Sequence, residues 1–143
     1  MSDEFVWDGR TPLDVAVMVD VDGTLAGVYR NGRRPLRETA PAALELLSQA
    51  APVILWSTGG PDNCLRLLAE YPELDRYVCH VAHKIGFPVW LIYRPYCIDD
   101  NESEDAVFQC ERVIIDTLKE GKDSGQLIEA AQLIAQDIRS RNG

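Results

Sequence analysis

The chain is poor in several things, and each shortage excludes something. No apolar run approaches the roughly 20 residues that a membrane-crossing helix needs, so no membrane partner is expected. Cysteine is sparse and scattered: Cys64, Cys79, Cys97 and Cys110 contain no Cys-x-x-Cys pair, which argues against a zinc ribbon or a disulfide frame and for reduced thiols in a cytoplasmic protein. Histidine occurs twice; His80 and His83 with Cys79 would lack a fourth metal ligand at suitable spacing. Positive charge is short, with 14 basic residues against 23 acidic ones and a net charge of −9, which disfavours a polyanionic partner such as nucleic acid without forbidding it. A small phosphorylated substrate stays compatible, because a bound metal and a few arginines can reverse the field locally. Lysine is rarest of the charged residues before the carboxyl-terminal third, Lys84 being the only one ahead of Lys119. The acidic start, Met1 to Glu4, is followed by no long apolar run and predicts no signal peptide. Repeats, low-complexity tracts and linkers are absent too, so residues 1–143 are expected to form one domain.

What is present converges on one stretch. Val15-Ala16-Val17-Met18-Val19 runs into Asp20-Val21-Asp22-Gly23-Thr24-Leu25. A short, continuous, β-branched apolar run reads as a strand buried on both faces of a parallel sheet. Two carboxylates one residue apart then stand at its carboxyl end, on one side of an extended chain. Ligands of open α/β sheets bind at such ends, and like charges crowded beside a buried strand call for a compensating hard cation, with magnesium the natural choice. A solvated Asp-x-Asp-Gly turn would have the same spacing.

The rest alternates between strand and helix signals. A hairpin with Asn31-Gly32 at its turn follows Thr24 and carries Arg30, Arg33 and Arg34, with Arg37 at its exit. These arginines read either as a solvated loop or as a positive entrance that contacts substrate. A helix capped by Thr39 runs to about Ala51, and the stretch from Pro52 to Gly60 is a second buried strand ending in Ser57-Thr58-Gly59-Gly60. A helix capped by Asp62 or Asn63 follows, then a third strand over Tyr77–Ala82 delivering Lys84, a fourth over Tyr96–Ile98 ending in Asp99 and Asp100, a short helix to Cys110, a fifth strand over Arg112–Asp116, and a last helix over Gln126–Arg139. The pattern predicts an α/β fold: an open, parallel, five-stranded Rossmann-like sheet with helices on both faces and a small β-hairpin flap.

Asp20-Val21-Asp22-Gly23-Thr24-Leu25, then Ser57 or Thr58, Lys84, and Asp99-Asp100, each at a strand end and in this order, resemble the four motifs of the haloacid dehalogenase superfamily of phosphohydrolases. The resemblance covers Val15 to about Asp105. It implies a magnesium-dependent phosphatase in which Asp20 attacks phosphorus and Asp22 is general acid and base. Ser57, with Thr58 and Gly59 beside it, would hold the phosphoryl group, and Lys84 would neutralise charge. Asp20, Asp22 (through its backbone carbonyl), Asp100 and Asp99 would hold Mg2+, with Glu104 behind them. Apart from the resemblance, the clustering of arginines in an otherwise acidic chain leads to the expectation that Arg33 and Arg34 bind substrate. Neither the flap nor the segment between Lys84 and Ile98 is long enough for a cap domain, and capless relatives have open sites suited to bulky substrates or to a neighbouring subunit in a homo-oligomer acting as lid. Two other readings stand beside this one: a phosphatase of nucleotides or nucleic-acid ends, and a regulatory protein that binds magnesium and phosphate without turnover.

Overall fold

The computed structural model describes residues 5–27, 32–101, 104–118 and 124–142. Among them, five strands form one all-parallel sheet in the order β3-β2-β1-β4-β5: β1 (Leu13–Asp20), β2 (Val53–Ser57), β3 (His80–His83), β4 (Ile92–Asp99) and β5 (Glu111–Ile114). β1 is central. Its register sets Asp20 opposite Trp56 of β2 and Val19 opposite Ile98 of β4, so the ends of three strands come level. The β1-to-β2 and β4-to-β5 connections leave in opposite directions from the middle of the sheet. That reversal opens a crevice at the carboxyl ends, the usual ligand position in this architecture.

The two faces are covered unequally. Helices α1 (Ala40–Ala50), α2 (Pro61–Glu70) and α4 (Gln126–Asn142) all pack on one face, where Leu44, Leu47, Leu67, Ile134 and Ile138 meet Val17, Val19, Leu55 and Ile98. Among the described residues, the other face carries a four-residue helix, α3 (Asp105–Phe108), with Trp7, Phe87 and Val89 over Ala16, Met18, Ile54 and Trp56. The expectation of helices on both faces is thus met on one side by a single helical turn. The connection between β3 and β4 is too short for more, being a 3-10 turn (Val89–Leu91).

Boundaries moved where proline misled. β4 begins at Ile92 and runs through Pro95, which lies where β4 pairs with β1 alone, since β5 joins only from Tyr96 onward. A missing ladder donor is tolerated at such a one-sided position. Tyr77 belongs to a 3-10 turn (Pro72–Tyr77), and β3 starts three residues later. The hairpin flap is described at its base: Ala26 bridges Leu36 antiparallel, the Gly27 N–H donates to the Pro35 carbonyl at 2.8 Å, and the Arg37 N–H donates to that of Leu25 at 2.8 Å. Arg30 and Asn31 lie outside the described residues.

Candidate active site

Four strand ends bring their polar residues together. Asp20, at the end of β1, is buried, and both its oxygens are engaged: Oδ1 lies 2.8 Å from Lys84 Nζ, and Oδ2 accepts from Thr24 Oγ1 at 3.1 Å. Lys84 follows β3 directly and is itself only 2% exposed. Its ammonium also lies 2.8 Å from Asp99 Oδ2 and 3.5 Å from Glu104 Oε2. Burial of a lysine is tolerated only against such partners. Burial alone would lower its pKa, but Asp20 and Asp99 outweigh it and hold the ammonium above its ordinary value. For the carboxylates the balance reverses. Burial, then the neighbouring Asp99, raises Asp20 well above the usual carboxylate range, and burial raises Asp99 against the opposing pull of Lys84.

Among the described residues, the side chains that converge tightly enough to hold a metal ion are Asp20, Asp99 and Asp100, one oxygen from each lying within 4.8 Å of the others. All the donors are carboxylate oxygens, a hard set that fits a hard divalent cation. Asp99 is fully buried, with Oδ2 2.8 Å from the Lys84 ammonium and Oδ1 accepting the Asn101 N–H at 3.0 Å. Asp100 is steadied by Thr117 Oγ1, which donates to its Oδ2 at 2.8 Å. Gly23 makes room for it. Its φ of +85° suits glycine, and a Cβ there would stand 2.1 Å from Asp100 Oδ2. The Leu118 N–H donates to the Gly23 carbonyl at 2.8 Å, so the segment after β5 clasps the Asp-x-Asp-Gly loop.

Asp22 turns the other way. Its carboxylate is more than half exposed and takes Asn63 Nδ2 at 2.8 Å and Arg34 Nη1 at 3.4 Å. Asn63 also donates from Nδ2 to Ser57 Oγ at 2.8 Å, while its Oδ1 accepts from Arg34 at 2.9 Å. The amide orientation follows from its neighbours, since a carboxylate requires a donor and a guanidinium an acceptor. Ser57 Oγ also accepts the Gly59 N–H at 3.0 Å. With both lone pairs taken, the hydroxyl can act only as a donor. Thr58, the other hydroxyl considered, is exposed and outside this network. Asn63, read above as a helix cap, caps nothing: Gly60 occupies the N-cap position of α2.

Among the described flap arginines, Arg33, Arg34 and Arg37 each contact other parts of the chain. Arg34 is 1% exposed and held by Asp22, Asn63 and Glu70. Arg33 is exposed, but its guanidinium lies 4.3 Å from the centre of the Tyr71 ring and donates to the Glu70 carbonyl at 3.0 Å. Arg37 is buried and donates to the carbonyls of Thr24, Gly23 and Asp116. Thr24, Asn63 and Thr117 are the polar neighbours that sequence reading gave no role in the site. Thr24 was visible in the motif itself. Asn63 was visible only as a turn residue, and nothing local marks Thr117.

No protein-family model matches this chain, and no curated protein matches it by sequence.

Proposed function

We propose that this chain is a magnesium-dependent, capless phosphatase of the haloacid dehalogenase type that hydrolyses phosphate monoesters through an aspartyl phosphate on Asp20. The observation that carries the reading is the buried ion cluster at the strand ends, Asp20 and Asp99 both 2.8 Å from Lys84, with the Asp100 carboxylate close by. Magnesium held by Asp20, Asp99 and Asp100 would neutralise phosphate oxygens so that a carboxylate can approach phosphorus. An Asp20 oxygen forms the new bond to phosphorus as the bond to the leaving oxygen breaks, and Asp22 gives that oxygen a proton. Asp22 then takes a proton from water, whose oxygen attacks phosphorus and breaks the Asp20–phosphorus bond. Inorganic phosphate leaves, and both carboxyl groups return to their starting states. Ser57, locked as a donor, binds a phosphoryl oxygen, and Lys84 offsets charge on Asp20 throughout.

The test is turnover of an aryl phosphate with and without magnesium. Activity lost on chelation, abolished in Asp20→Asn, and reduced by roughly 10²–10⁴ in Asp22→Asn is expected. Equal and modest losses in both variants would contradict the covalent assignment. Magnesium and phosphate binding without turnover of any ester would assign the chain the regulatory role instead.

A further inference from the structure

Two features beside the cluster are unused by that chemistry. The first is a cleft of about 630 Å3 that starts at Lys84 and Thr58 and runs along Ile85, Phe87 and Trp90 to the start of α3 and Gln109. The second is an exposed apolar rim: Ile85 is 71% and Trp90 78% exposed, a cost in water that a bound ligand would remove. The floor is rigid. Phe87 is buried and meets Trp56 edge-on with ring centres 5.4 Å apart, and Trp7 at 6.0 Å. Gly86, at φ +77°, reverses the chain between them, so Ile85 faces outwards while Phe87 tucks under. A second cleft, about 400 Å3, lies at the amino ends of β2 and β3 between Pro52 and Cys79, away from every carboxylate of the cluster.

The charge of the cleft is equally specific. Among the described residues, Glu104 and Asp105 line its α3 side and Lys84 is its one cation, already matched by Asp20 and Asp99. Nothing there would balance a second phosphate or a carboxylate on the ligand. A volume of this size takes a bicyclic ring, and the indole edge, isoleucine and phenylalanine favour stacking on flat rings.

We propose that this cleft is the leaving-group subsite and that the substrate is the phosphate monoester of an aromatic alcohol carrying no second negative charge. The identification rests on the phosphatase reading, because Lys84 and Thr58 join the cleft to the cluster where the phosphate would sit.

The experiment compares 2-naphthyl phosphate with phenyl phosphate, esters of similar leaving-group acidity, in the presence of magnesium. The second ring buries enough extra apolar surface to lower the Michaelis constant roughly tenfold in the wild type. Trp90→Ala should bring the two constants together, whereas Tyr93→Ala, 84% exposed but outside the cleft, should preserve the ratio. A carboxylate on the naphthyl ring should raise the constant. Equal constants in the wild type, or a ratio untouched by Trp90→Ala while phenyl phosphate is turned over, would overturn the subsite. Calorimetric titration with naphthylmethylphosphonate, which cannot be hydrolysed, separates this proposal from its parent. Binding that Trp90→Ala weakens by a similar factor supports the cleft even if no ester turns over, and absence of binding refutes it.

Discussion

Replacing Asn63 with alanine tests the least obvious part of the site. Asn63 Nδ2 donates to Asp22 Oδ2 and to Ser57 Oγ, each at 2.8 Å, and its Oδ1 accepts from Arg34 at 2.9 Å. Truncation removes all three contacts and touches no carboxylate of the proposed metal group. The Asp22 bond is charge-assisted and worth about 1.5–3 kcal/mol when well formed, though Asp22 is more than half exposed and the lower end applies. The Ser57 hydroxyl, with one lone pair released, could then rotate away from phosphate. If about 1.5 kcal/mol of this alignment is realised in the transition state, kcat falls roughly 10-fold. The magnesium concentration giving half-maximal activity should not move. Steady-state kinetics on an aryl phosphate across a magnesium series reads both numbers. A folded Asn63→Ala variant with kcat within about twofold of wild type would refute the reasoning, since Asp22 and Ser57 would then hold their positions unaided.

Lys84→Met leaves Asp20 and Asp99 buried without their cation, so the fold should lose about 3–5 kcal/mol in urea titrations without magnesium, a loss that added magnesium reduces if the carboxylates bind it. Gly23→Ala should cost about 1–2 kcal/mol from its left-handed backbone alone and should weaken magnesium binding further by displacing Asp100, as calorimetry would read. Ile134→Ala, in the α4 face buried against α1 and β4, should cost about 2–5 kcal/mol with kinetics unchanged. Burial lowers the pKa of His80, which packs edge-on to Trp7 at 4.9 Å. Its neutral form is thus favoured on folding, and the stability it contributes is complete above the unfolded value of 6.5 and lost as pH falls below it. Urea midpoints at pH 5.5 and 7.5 should converge in His80→Phe relative to wild type, and parallel curves would refute this.

Most of the fold could be read locally because its signals are local. Five apolar bursts with turns after them become five parallel strands, and Asp20, Lys84, Asp99 and Asp100 each follow one. Where a signal depended on distant partners, local reading failed. Pro95 reads as a strand breaker only if both neighbours are present, and β5 is absent at that level of the sheet. Helical cover on the second face, inferred from alternation, amounts among the described residues to α3, while the segment from Lys84 to Leu91, short for a crossover helix, packs with Trp7. Asn63 looked like a cap because cap and turn preferences are short-range, whereas its actual partners, Asp22, Ser57 and Arg34, come from three other segments.

The flap arginines show why this limit matters for function. Four arginines in an acidic chain read as a field that reaches solvent, yet charge in a sequence carries no sign of what neutralises it. Arg34 is opposed by Asp22 and Glu70, and Tyr71 donates from its hydroxyl to the Arg34 carbonyl. The flap base is therefore a brace, tying the loop after β1 to the carboxyl end of α2 and fixing Asp22 and Asn63 between them. Among the described residues of this wall, Arg33, Arg34 and Arg37 each have a partner. The opposite wall, from Ile85 to Gln109, has exposed apolar side chains and an open cleft reaching Lys84. If the proposed reaction holds, the α2 side would position Asp22 and Ser57 at phosphorus, and the Trp90 side would be left for the part of the substrate that departs.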